Sequence, residues 1–75
     1  MPAKPDSATY EFRIRGHLDA RWAATLSVAS LVHAQGGITV LHSPPVDQPA
    51  LHGLLQQLRD LGLPLVSVTR LEPND

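Results

Sequence analysis

The chain has no cysteine. This one absence removes disulfides, thiolate metal sites and cysteine nucleophiles together, so a metal would have to rely on histidines and carboxylates. Charge of one sign is also missing: six basic and seven acidic residues give a net charge of −1 and a pI near 6.4. That balance disfavours neutralising a phosphate backbone by counterion release, and no nucleic-acid partner is expected. No apolar run approaches the length of a membrane span, and the start MPAKPDSATYEF lacks the apolar segment of a signal peptide. The expectation is a cytoplasmic protein with no membrane association. The sole lysine is Lys4, and there is neither a glycine-rich phosphate loop nor a G-x-S-x-G setting around Ser27, Ser30, Ser43 or Ser67. No cofactor is implied.

What is present is enough to fold. Leu, Ile, Val and Phe together exceed the roughly 20% below which a chain stays disordered. Seventy-five residues make one unit. Below about 70–80 residues a single core rarely supplies more than ~3–5 kcal/mol, so small domains add disulfides, a metal or an oligomer interface. With disulfides excluded, self-association as a homodimer is the expected supplement.

Residues 1–8 read as a disordered leader, 9–72 as a single domain and 73–75 as a frayed tail. Removal of Met1 would expose Pro2 as a secondary amine, the base that short tautomerases use, but Lys4, Pro5 and Asp6 intervene before any strand signal. Residues 9–15 alternate, with Tyr10, Phe12 and Ile14 opposite Glu11, Arg13 and Arg15, the pattern of a half-buried strand. Gly16 ends it. Asp19 can cap a short helix carrying Leu18, Trp22 and Leu26, and a second strand is read over 26–32. The pair Gly36-Gly37 suits a hairpin into a third strand over 38–42, with Ile38, Val40 and His42 on one face and Thr39 and Leu41 on the other.

Pro44-Pro45 stops that strand. Asp47 as N-cap, Pro49 in the first turn, and leucines at 51, 54, 55, 58 and 61 predict an amphipathic helix over 48–61, closed by Gly62 and Pro64. A last strand covers 65–71, with Val66 and Val68 opposite Leu65, Ser67, Thr69 and Leu71.

This order predicts an α+β two-layer sandwich: a four-stranded, mostly antiparallel sheet with one long and one short helix on one face. The plan is ferredoxin-like, β-α-β-β-α-β, or β-β-β-α-β if residues 18–25 form only a turn. In either case one sheet face stays uncovered, and the alternation assigns to it Thr39, Leu41, Leu65, Ser67, Thr69 and Leu71 beside the charged residues of strand one. So many leucines are more than a small monomer usually exposes, and these six become the candidate dimer interface.

The strings Asp47-Gln48-Pro49-Ala50-Leu51-His52-Gly53-Leu54-Leu55 and Arg59-Asp60-Leu61-Gly62-Leu63-Pro64-Leu65, with residues 10–18 and Arg21-Trp22, resemble a group of short, free-standing, uncharacterised bacterial proteins. The chain departs from them over 23–28, where a further aromatic and a glycine before the second strand are expected. The resemblance implies no activity.

Four histidines are the residues best suited to acid-base or ligand chemistry near neutral pH, and their spacing matches no metal motif. His17 and His33, the candidate residues for any metal site, close strands one and two, and their rings converge only if those strands are neighbours of suitable direction. His17, Arg21, Trp22 and His52 are the ligand-binding candidates, with Trp22 also read as a core plug under the long helix. Arg13, Arg15 and Arg21 form a candidate anion-binding edge. Gly53 inside a helix costs ~1 kcal/mol relative to Ala, which close packing against another backbone would explain. The favoured function is a small self-associating accessory or regulatory module that binds a protein partner or a small ligand. The alternatives are a compact cofactor-free or histidine-metal-assisted enzyme, isomerase- or cyclase-like, with a pocket between helix and sheet, and an RRM-like sheet, which the inward placement of Tyr10 and Phe12 argues against.

Overall fold

A computed structural model describes residues 7–71. The elements are β1 (Thr9–Arg15), α1 (Trp22–Leu26), β2 (Ser30–Ala34), β3 (Ile38–His42), α2 (Gln48–Asp60) and β4 (Leu65–Leu71). They form one sheet in the order β2-β3-β1-β4, with every neighbouring pair antiparallel. Because β3 runs against both β1 and β2, those two are parallel to each other with β3 between them, the split βαβ plan. The short helix exists, which decides between the two orders left open by the sequence. Leu26 of α1 and Leu51, Leu54 and Leu58 of α2 share one core with Tyr10, Phe12 and Ile14 of β1.

β1, β3 and β4 fall where the alternation places them; the second strand does not. It begins at Ser30 rather than at 26, and His33 lies within it. Leu26 ends α1 instead, because Ser27 turns left-handed at φ +58° and returns the chain, with the Val28 amide donating to the Ala23 carbonyl. Asp19 is not the N-cap of α1: that position is Arg21, without a side-chain cap bond, and Asp19 lies in the turn before it, its Oδ1 accepting from the Arg21 amide at 3.0 Å and its carbonyl from the Trp22 amide. Trp22 is half-buried at the margin of the core rather than a plug beneath α2.

Directly paired residues of antiparallel strands share a face, so the register decides what is covered. Phe12 pairs with Leu41 and Ile14 with Thr39, which puts Thr39 and Leu41 beneath the helices, both at 0% exposure. Their expected place on the uncovered face is therefore wrong. Ile38-Thr39-Val40-Leu41 is apolar or neutral on both alternating faces, so its phase is not legible locally, and a shift of one residue exchanges the faces. Leu65 moves too. β4 carries one extra residue where Arg13 and Ile14 face Ser67 and Leu65, and this bulge returns Leu65 opposite Ile14 on the helix side. Of the six interface candidates, Ser67, Thr69 and Leu71 remain on the open face, paired with Arg13, Glu11 and Thr9.

The open face is polar through its middle. One row runs Ser30, His42, Glu11, Thr69, and the next Val32, Val40, Arg13, Ser67. A third, Ala34, Ile38, Arg15, ends at the β1 side.

α2 is built as its sequence implies. The Asp47 carboxylate accepts from the Ala50 amide at 3.1 Å, Pro49 sits in the first turn, and Leu51, Leu54 and Leu58 are buried. Leu61 is the C-cap, one residue short of the expected end, and Gly62 takes φ +80° beyond it. Ala8 does not belong to a loose leader: it bridges to Val46 with amide-carbonyl bonds of 3.0 and 2.9 Å and joins the core. Pro2, Lys4 and the tail 73–75 lie outside the described residues.

Candidate functional site

The exit of β1 is tied into the fold by several hydrogen bonds. Gly16 turns at φ +127°, and its amide donates to the Gly37 carbonyl of the β2–β3 hairpin at 2.6 Å. A Cβ there would meet Leu63 Cδ2 at 3.1 Å. The Thr39 hydroxyl donates to the Gly16 carbonyl at 2.6 Å and accepts from the Leu18 amide at 3.1 Å, so one buried side chain ties both ends of the turn. The Leu18 carbonyl in turn accepts from His33 Nε2 at 2.7 Å.

That last bond brings two of the predicted residues together. The ring of His17 stacks on His33 with centroids 3.8 Å apart and planes 19° from parallel. Nitrogen lone pairs lie in the ring plane, so near-parallel stacked rings do not aim at a common metal ion. A carbonyl can only accept, so His33 Nε2 carries a proton and is committed as a donor. Among the described residues there is no group of three His, Cys, Asp or Glu placed to hold a metal.

The other ligand-binding candidates stay apart. Arg21 and His52 are exposed, and Arg21 Nε lies 3.8 Å from Asp19 Oδ2. The three arginines do not assemble into an anion-binding edge either, since Arg13 and Arg15 are on the open sheet face and Arg21 precedes α1 in the helical layer. On the open face Glu11 is held from two sides, with Oε1 2.9 Å from His42 Nε2 and Oε2 accepting from Arg13 Nε at 3.1 Å. These bonds, first to His42 and then to Arg13, hold the Glu11 carboxyl below its usual value of 4.5.

Two open grooves flank α2. One, of about 530 Å³, lies between the end of α1 and α2 and is lined by Leu26, Ser27, Pro44, Val46, Ala50, Gly53, Leu54, Gln56, Gln57 and Asp60. Gly53 is not packed against a backbone as expected: a Cβ there would meet nothing within 4 Å. The other, of about 510 Å³, runs between α2 and the start of β4, lined by Leu55, Leu58, Arg59, Gly62, Leu63, Pro64 and Leu65. Neither is lined by His17, Arg21, Trp22 or His52.

A feature the alternation does not reveal is the exposed apolar edge along β4, next to the second groove. This strand has a neighbour on one side only. Leu65, Val66 and Val68 are 46%, 49% and 38% exposed; Val32, on the opposite edge strand, is the remaining large exposed hydrophobic among the described residues, at 55%. Period-two alternation assigns Val66 and Val68 to the core side but does not say that the helical layer stops short of the strand.

Fold and surface thus define a small split-βαβ domain with an apolar edge. The chain belongs to the family described as Domain of unknown function (DUF8691), whose family model matches residues 9–69. No curated protein and no solved structure matches it. No helix among the described residues is long and apolar enough to cross a membrane.

Proposed function

We propose that this protein is a small self-associating binding module, in which a second copy covers the apolar edge at β4 and the assembly serves a protein partner or a small ligand as an accessory or regulatory unit. The observation that carries the reading is the concentration of half-exposed Leu65, Val66 and Val68 on one edge strand. Burying a whole Val or Leu side chain contributes roughly 1.5–3 kcal/mol, so leaving three of them half in water forgoes a large part of what a chain of this size has available. Edge strands of monomers are commonly defended by lysine, proline or inward charge. β4, Leu-Val-Ser-Val-Thr-Arg-Leu, has neither lysine nor proline, and its one charge, Arg70, sits near its end.

The interface so proposed replaces the one drawn from the sequence. The leucine-rich open sheet face does not exist, since Leu41 and Thr39 are interior and Leu65 is on the helix side. Light scattering and native mass spectrometry of the full chain across micromolar concentrations test the reading. A mass of two or more chains is expected; a monomer throughout that range refutes it.

A further inference from the structure

We infer that the groove between α2 and the start of β4 binds a free medium-chain carboxylate, its aliphatic chain on the leucines and its head at Arg59. This rests on the small-ligand part of the function proposed above and does not require the second copy. The groove's volume of about 510 Å³ falls in the ~300–1,000 Å³ range of small-molecule sites, which are mostly apolar with a few polar groups that fix orientation. Leu58 is buried, Leu55 and Leu63 are half-buried, and Leu65 is left 46% exposed. Among the described residues that line the groove, Arg59 alone is charged. From Leu55 to Gly62 the groove follows α2 for roughly 10 Å at ~1.5 Å per residue, the span of an extended chain of about eight carbons.

Hydrogen bonding favours an aliphatic chain over a peptide. A peptide in the groove has amides and carbonyls to satisfy, and each one left without a partner is costly. The groove has little to give them: Pro64 has no amide, its carbonyl accepts from the Arg15 amide at 2.9 Å, and the Gly62 amide is spent on the Arg59 carbonyl at 3.0 Å. An alkyl chain makes no such demand. Charge complementarity selects the head and distinguishes the two grooves. The charged residue lining the groove between α1 and α2 is Asp60, which disfavours a carboxylate there, whereas Arg59 attracts one here. Arg59 Nε does lie 3.5 Å from Asp60 Oδ1, a long contact between two exposed side chains of the kind that contributes little. A guanidinium has five N–H donors in a fork that matches a carboxylate, so a second anion can still be held.

The test is a titration of the full chain with octanoate at pH 7, followed by amide shifts in proton–nitrogen correlation spectra. Shifts are expected at Leu55, Arg59, Gly62 and Leu63, and not at Ala50 or Gly53 of the other groove. Complete burial of one methylene tightens binding roughly fourfold (~0.8 kcal/mol), and a groove open to water realises about half of that in free energy. Each added pair of carbons from butanoate to hexanoate to octanoate should therefore tighten binding about fourfold. Arg59→Gln, at an exposed position, should weaken octanoate about two- to fivefold and leave 1-octanol unchanged. Shifts centred on Ala50 and Gly53, an affinity independent of chain length, an octanoate affinity untouched by Arg59→Gln, or no saturable shift at millimolar octanoate overturns the inference. So does co-sedimentation with phosphatidylglycerol vesicles in the absence of any response to octanoate, which would assign the groove to a lipid surface. Light scattering of the same samples separates this inference from self-association: a monomer that binds octanoate sinks the second copy alone, and a dimer that does not bind it sinks the carboxylate site alone.

Discussion

Replacing Thr39 by valine keeps the shape of a fully buried side chain and removes its hydroxyl. The Gly16 carbonyl then loses a donor at 2.6 Å and the Leu18 amide an acceptor at 3.1 Å. Leaving a buried backbone group unsatisfied costs about 1–3 kcal/mol, so the two together should lower stability by roughly 2–4 kcal/mol, allowing for some access of water at the half-buried Gly16. For a domain whose total is about 4–11 kcal/mol at 0.05–0.15 kcal/mol per residue, that is a large fraction. At ~4–8 °C per kcal/mol the melting temperature should fall by roughly 8 °C or more. The assay is urea unfolding at fixed protein concentration, followed by circular dichroism and by the fluorescence of the single tryptophan. Thr39→Ser is the control: it retains the hydroxyl, gives up one methyl, and should lose about 1 kcal/mol. If serine costs as much as valine, packing rather than the two hydrogen bonds holds the junction, and the reasoning is refuted.

Ser27→Gly should stabilise the fold by about 0.5–1 kcal/mol, because Ser27 occupies the left-handed region at φ +58° where a Cβ is disfavoured; an unchanged or lower urea midpoint would show that its side chain compensates. Gly16→Ala should destabilise by about 1–3 kcal/mol, combining a φ of +127° with a 3.1 Å approach to Leu63, and a neutral result in the same assay would mean that the turn relaxes freely. For Glu11 the folded carboxyl titrates below its usual value of 4.5, so its contribution is complete above that pH and is lost as pH falls through the folded value. Glu11→Gln should therefore flatten the acid limb of the stability profile, and parallel acid limbs for the two proteins would contradict the role of the His42 and Arg13 bonds.

Much of this fold is readable locally. The bounds of β1 and β4, the Asp47 cap, the leucine stripe of α2 and the positive φ angles at Gly36, Gly37 and Gly62 all follow from residues within a few positions of one another. The second strand was misplaced because Thr25 to Val32 mixes small and β-branched residues with no clean period, while its true start depends on the left-handed turn at Ser27. Of the site, the His17–His33 encounter is expected only if the first two strands are neighbours; they are not, and the rings meet as a stack across the end of the intervening β3. The grooves beside α2 and the uncovered flank of β4 are not legible locally, since they depend on where α2 packs across the sheet.

Composition and local pattern alone determined that this is a cysteine-free α+β chain with four strands, one strong helix and too little material to enclose all its apolar surface. Tertiary structure decided which apolar surface that is. The phase of β3 is set by its pairing with β1, and the side on which Leu65 emerges by a one-residue bulge against the same strand. Both are long-range registers, and because side chains alternate with a period of two, one residue of register exchanges inside for outside without altering a single local preference.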